Sequence, residues 1–138
     1  MNIVQQVIIL SAEKSDNSIE RNRQLTENLA QSLQDLNIKA SRATGCSNGN
    51  KEDSFVAIVN NQAEIDAVTN LALKPVGFGG FGQDAVLHQD SNQEAYLIDA
   101  KGNSVRLGRL EQVNAKEIEV LENYTVLNGR VFTTIKRV

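Results

Sequence analysis

Ile38-Lys39-Ala40-Ser41-Arg42-Ala43-Thr44-Gly45-Cys46-Ser47-Asn48-Gly49-Asn50-Lys51-Glu52-Asp53-Ser54-Phe55-Val56-Ala57-Ile58-Val59 is the stretch on which the architecture turns. Ser54 to Val59 is a dense run of β-favouring side chains, and Ile38 to Thr44 is a more modest strand. Between them, Gly45 to Glu52 holds two glycines and several short polar side chains, which predicts a long exposed loop. The reading is therefore two consecutive strands with a loop between them.

Helices flank this pair on both sides. Upstream, Asn17 stands three residues before Glu20, the spacing of a capping residue and its reciprocal partner. Ile19, Leu25, Leu29, Leu33 and Leu36 then mark one helical face, with Arg21, Arg23, Glu27, Gln31 and Gln34 mostly opposite, and Asn37 is the stop. Downstream, Asn61 and Glu64 repeat the capping spacing before Ile65, Val68, Leu71 and Ala72, and Pro75 forbids continuation. The outermost elements are strands. Ile3 to Leu10 is apolar on both parities, as in a central strand buried on both faces, and Asp84 to His88 is a short strand after a glycine-rich loop.

The order strand, helix, strand, strand, helix, strand predicts an α+β fold. It corresponds to a ferredoxin-like split βαβ core with a mixed sheet and both helices on one face. Two hairpins follow: Glu94 to Asp99 with Asn103 to Leu110 around Ala100-Lys101-Gly102, and Tyr124 to Leu127 with Arg130 to Ile135 around Asn128-Gly129. They are expected to extend the sheet or pack beside it. Asn114 to Glu122 reads equally as strand and as helical turn. No linker interrupts the chain, so residues 1–138 are read as one domain, a core of about 3–90 with a β-hairpin extension of about 91–138.

Composition narrows the function classes. The chain has 138 residues with 14 basic and 17 acidic side chains, a formal charge of −3, which lacks the cationic surplus that nucleic acid or an anionic membrane attracts. Aromatic residues make up 4% with no Trp, which argues further against a surface that stacks on bases. Lone Cys46 cannot form an internal disulfide, no apolar run reaches the roughly 18 residues of a membrane span, and the N-terminus lacks a basic n-region. A cytoplasmic protein without membrane contact is expected.

Candidate chemistry is sparse. Ser11, Lys14, Ser15 and Asn22 lie between the end of the first strand and the start of the first helix, a common ligand position in α/β proteins. Gly77-Phe78-Gly79-Gly80-Phe81-Gly82 satisfies G-x-G-x-x-G without the required strand, turn and helix; its phenylalanines either anchor a partner or pack beneath the loop. His88, the only histidine, reads as a hydrogen-bonded structural imidazole, and Cys46 as an ordinary surface thiol. Glu52, Asp53, Asp84 and Asp90 form no metal motif and read as solvated loop charges; Arg130, Lys136 and Arg137 are too few for a phosphate track. No cofactor is implied.

Ser11-Ala12, Asn22, Ser54-Phe55 and Phe81-Gly82-Gln83 followed by Ala85-Val86 together resemble an uncharacterised bacterial and phage domain family across about residues 3–90. That family usually has Asn-Pro where this chain has Glu13-Lys14. The resemblance implies one α+β domain and no established activity.

If these positions share one place, Ser11, Asn22, Ser54 and Gln83 form a polar rim, with Lys14, Ser15, Phe81 and Gly82 beside it. Hydroxyls and carboxamides recognise a ligand without an acid–base pair, which favours recognition over catalysis. The leading expectation is a small accessory or regulatory module that binds a protein, in one version phage-encoded and acting on a bacterial host protein through its sheet edges and the Phe-containing loop. The alternative is a binder of a nucleotide-like or other small polar ligand at the rim made by the first strand-helix loop and the glycine-rich loop. A hydrolase or transferase using Cys46 or His88 ranks third.

Overall fold

A computed structural model describes residues 5–136, so expectations touching Ile3, Val4 and Arg137 lie outside it. In chain order the elements are β1 (Gln6–Ser11), α1 (Ile19–Asp35), β2 (Ala40–Ser47), β3 (Asn50–Val59), α2 (Gln62–Leu73), β4 (Ala85–Gln89), β5 (Glu94–Asp99), β6 (Ser104–Val113), a 3-10 helix α3 (Ala115–Val120), β7 (Asn123–Leu127) and β8 (Arg130–Ile135). The strands form a closed barrel in the order β1-β3-β2-β7-β8-β6-β5-β4, with β4 returning to β1. Every pairing is antiparallel.

This corrects the ferredoxin-like core with a mixed sheet. The cause lies in Gly45 to Glu52, which does not loop out. Asn48 (φ 51°) and Gly49 (φ 85°) take left-handed conformations, the geometry of a two-residue hairpin turn that matches strand twist. The supposed loop zips into strand, pairing Gly45 with Glu52 and Cys46 with Lys51. β2 is thereby long enough to offer Thr44 to Ser47 to β7, while β4 takes β5 and β6 bridges β5 to β8. Among the described residues every strand has a partner on both sides over at least part of its length, so no whole strand is left as the free edge expected from the sequence.

β1 is apolar on both parities because both its faces are covered. Ile8 and Leu10, with Phe55, Ala57, Val59 and Val86, pack outward against Leu29 and Leu33 of α1 and Ile65, Val68 and Ala72 of α2. Burying each large aliphatic side chain there contributes about 1.5–3 kcal/mol. Ile9, of opposite parity, lines the barrel interior. Ser18, one residue later than expected, caps α1 by accepting from Arg21 N at 3.1 Å; Asn61 caps α2, accepting from Glu64 N at 2.9 Å. The ambiguous segment forms α3, whose Ile118, with Leu121, covers a second outer cluster of Cys46, Tyr124 and Val131. Among the described residues no helix is long and apolar enough to cross a membrane.

Closure needs one irregularity. Between β5 and β6 the register passes from Ala95 opposite Gly108 to Tyr96 opposite Arg106, leaving Leu107 as an extra residue. Gly108 has φ 107°, and a Cβ there would stand 2.3 Å from Ile135 O. Gly108→Ala is therefore expected to cost about 2–3 kcal/mol, through strain and a forced separation of β6 from β8. Urea unfolding measures this, and an unchanged midpoint would contradict the assignment.

Candidate functional site

Side chains opposite each other in register share a face, which identifies the barrel lining. Ser11 stands opposite Ser54, Ile9 opposite Val56, Glu52 opposite Gly45, Gly45 opposite Thr125, and Thr125 opposite Phe132. An eight-stranded barrel has room either for packed side chains or for one small ligand. Here several lining residues are small, and space remains. A cavity of about 350 Å³ occupies one end of the lumen, lined in part by Ser11, Glu52, Ser54, Gln83, Asn123 and Thr133. A second, of about 340 Å³, occupies the other end. Ile9, Leu110, Thr125 and Phe132 line both.

The mouth of the first cavity is held by cross-linked backbone. Ser11 Oγ donates to Asp53 O at 2.8 Å and accepts from Glu13 N at 3.1 Å. The Glu13 carboxylate accepts from Asp53 N, and Gln83 Nε2 donates to Glu13 O at 3.1 Å. The β1–α1 loop, the first half of β3 and the segment before β4 are thus tied together. Gly45 keeps the adjoining wall clear, since a Cβ there would come within 2.8 Å of Ser54 Oγ.

Electrostatically this end is acidic. Glu52 keeps much of its surface in solvent, yet its carboxyl is packed closely enough that desolvation raises its pKa above the usual value, with repulsion from Glu13 adding to the rise and the Ser11 hydroxyl partly opposing it. The ion pairs among the described residues, Arg42–Glu27 and Arg106–Glu94, do not involve it. Tyr124 borders the same cavity, and its phenol is pushed up by a hydrogen bond with Cys46 and then by burial.

Of the expected rim, Ser11, Ser54 and Gln83 meet in one wall of the cavity. Asn22 does not join them. Its Oδ1 accepts from Lys14 N at 3.0 Å and its Nδ2 donates to Lys14 O at 2.9 Å, so it braces the loop that Ser11 begins. Lys14 Nζ lies against Gly82, where a Cβ would be 3.1 Å away, and Ser15 is exposed. Phe81 packs on the outer core, whereas Phe78 is 77% exposed. None of Lys14, Ser15, Phe81 or Gly82 lines either cavity.

Other readings need correction. Cys46 is 8% exposed beneath α3, not a surface thiol. His88, by contrast, is the partly buried, hydrogen-bonded imidazole that the sequence suggested: it lies outside both linings, its Nε2 3.2 Å from Gln6 Oε1, and burial lowers its pKa, with Asp90 partly opposing. Glu52 is a strand residue at the lumen, not a loop charge. Its signal was present in the sequence, two positions before Ser54 and so on the same strand face. Asn123, Thr125 and Phe132 carried no such local signal.

The raised pKa of Glu52 has a stability consequence. The folded state holds this proton more tightly than the unfolded chain, so the cost of ionising Glu52 is absent below the ordinary value of 4.5 and grows as pH rises through the elevated folded value. Glu52→Gln should raise the melting temperature at pH 7 by up to about 2 °C, with the gain vanishing near pH 4. Thermal melts of both proteins across this range test it, and a lower melting temperature at pH 7 would count against the electrostatic description.

The family model described as the S-Adenosylmethionine lyase family matches residues 8–135. No curated protein matches the chain significantly. The family match overturns the expectation of a non-catalytic accessory module, phage-encoded or otherwise, and the view that recognition displaces catalysis. That the chain belongs to a recognisable domain family stands, and the family is one named for an activity rather than an uncharacterised one.

Proposed function

The chain belongs to the S-adenosylmethionine lyase family, and on that footing we propose that it cleaves a carbon–sulfur bond of S-adenosylmethionine at the Glu52 end of the barrel lumen. The observation that supports this reading is the Glu52 carboxylate in the wall of a small-molecule-sized cavity, without a basic partner among the described residues and with the negative charge of Glu13 close enough to raise its proton affinity. Such a site disfavours anions and favours a cation. A sulfonium is a compact cation with little capacity for hydrogen bonding, suited to carboxylate charge and to the aromatic face of Phe132 in the wall.

The chemistry asks little of the protein. When the carbon–sulfur bond breaks, the electron pair stays on sulfur, which leaves as a neutral thioether and needs no proton. The carbon released makes its new bond within its own fragment, as a lyase requires, so water is not consumed. The lumen walls restrict solvent and hold the flexible chain in a reactive conformation. Glu52 supplies counter-charge at the reacting end. The oxygens of Ser11, Ser54 and Gln83 offer acceptors for the ammonium end of the substrate.

Incubating the purified chain with S-adenosylmethionine should consume the sulfonium and release one equivalent of neutral adenosyl thioether, with no oxygen incorporated from ¹⁸O-labelled water. Glu52→Gln should lower kcat/KM by about 100-fold while leaving the protein folded. An intact sulfonium after prolonged incubation, or full activity in the variant, would overturn the proposal.

A further inference from the structure

The second cavity differs in chemistry from the first. Val7, Ile9, Val56, Leu110, Leu127 and Phe132 make most of its wall, and its lining carries no charged side chain. On the outer faces of β1 and β3, Ile8, Leu10, Phe55 and Val59 are buried; on the inner faces Val7, Ile9 and Val56 are only partly so, and the same holds for Leu110, Leu127 and Phe132. Apolar surface left facing water is a standing cost, removed when an apolar molecule takes the space. The rim at this end is polar. Gln93 Nε2 donates to Leu110 O at 2.7 Å, and Arg109 Nη2 donates to Gln93 Oε1 at 3.0 Å, which brings a guanidinium to a residue of the lining. Arg109 has no carboxylate partner among the described residues. The carboxylates of the neighbouring turn are engaged: Asp90 Oδ1 accepts from Asn92 N and Glu94 N, and Glu94 pairs with Arg106. Gln112, opposite Phe132 in the β6–β8 register, is exposed and makes no side-chain hydrogen bond within the described residues.

We propose that this cavity binds a medium-chain monocarboxylate, its alkyl chain lying in the lumen against Val7, Val56, Leu127 and Phe132 and its carboxylate held at the rim by Arg109 and Gln112. The proposal stands apart from the lyase reading, since it uses neither Glu52 nor Ser11, Ser54 and Gln83. A cavity of about 340 Å³ inside an eight-stranded barrel has room for one small ligand. The wall offers the alkyl chain dispersion contact and release from water, without a polar group along its length to satisfy. At the rim, the guanidinium fork matches a carboxylate, and the amide hydrogens of Gln112 are donors with no other partner. The opposite end of the lumen repels a carboxylate, because Glu52 and Glu13 stand there. Charge therefore fixes the orientation, with the headgroup at the Arg109 end.

Titration calorimetry of the full chain with octanoate tests this, with hexanoate and 1-octanol as comparisons. Octanoate should bind one-to-one, about fourfold more tightly for each methylene gained over hexanoate, the equivalent of about 0.8 kcal/mol per buried methylene. 1-Octanol should bind about tenfold more weakly, and Arg109→Met should bring octanoate down to that level while leaving 1-octanol unchanged. Leu127→Trp, which fills the cavity, should abolish binding of both, with thermal melts establishing that the variants are folded. Where the tryptophan variant does not fold, the methylene increment and Arg109→Met decide. Absence of octanoate binding, or equal affinity for hexanoate and octanoate, would overturn the proposal. So would an octanoate affinity that Arg109→Met leaves intact, or one that survives Leu127→Trp in a folded protein.

Discussion

The pairing of β2 with β7 holds the rest of the structure in place. Four residues of each strand meet, from Thr44 opposite Val126 to Ser47 opposite Asn123, and the contact joins halves of the chain nearly eighty residues apart. Closing a loop of that size carries an entropic cost that grows only slowly with its length, so a short ladder suffices once neighbouring ladders support it. Asn48 N donating to Glu122 O at 2.7 Å and Ser47 Oγ donating to Asn123 Oδ1 at 2.9 Å secure its end. Without this seam Gly45 would not face Thr125, Phe132 would have no lumen to line, and neither cavity would be enclosed.

The two faces of the barrel are packed differently. Its outer surface carries the apolar clusters beneath α1, α2 and α3, where the largest buried side chains lie. Its inner surface is left partly unfilled, with serine, threonine and glycine among the lining residues. Glu52 sits within this under-packed lining beside a like charge, an arrangement that lowers stability at neutral pH. A protein that held only its own fold would gain by filling the lumen and neutralising Glu52; a binding site keeps both costs.

The same view explains why no catalytic signature is visible in the residues. His88 and Cys46, the groups an acid–base or nucleophilic mechanism would enlist, lie on the outer face in structural roles. On the proposed reading, a sulfonium carries its own electrophilic carbon and its own leaving group, so the protein would need to contribute only charge, enclosure and orientation. Those contributions come from ordinary residue types whose meaning depends on what stands across the lumen.

The sequence by itself determined the local elements: the capped amphipathic helix from Ile19, the Asn61 cap, the stop before Pro75 and the Asn128-Gly129 hairpin, all of which depend on neighbours a few residues apart. It also brought Ser11, Ser54 and Gln83 to attention, although not Glu52. The Asn48-Gly49 turn carries the same signal as Asn128-Gly129, but the polar residues around it outweigh that signal in a local reading. Those residues are strand because partners elsewhere in the chain satisfy their backbone groups. Only the tertiary structure decided that the sheet closes, that Glu52 meets Gly45 and Thr125 at a lumen, and that Cys46 is buried. Each depends on hydrogen-bond register between distant strands, and a one-residue slip would turn every such side chain to the opposite face.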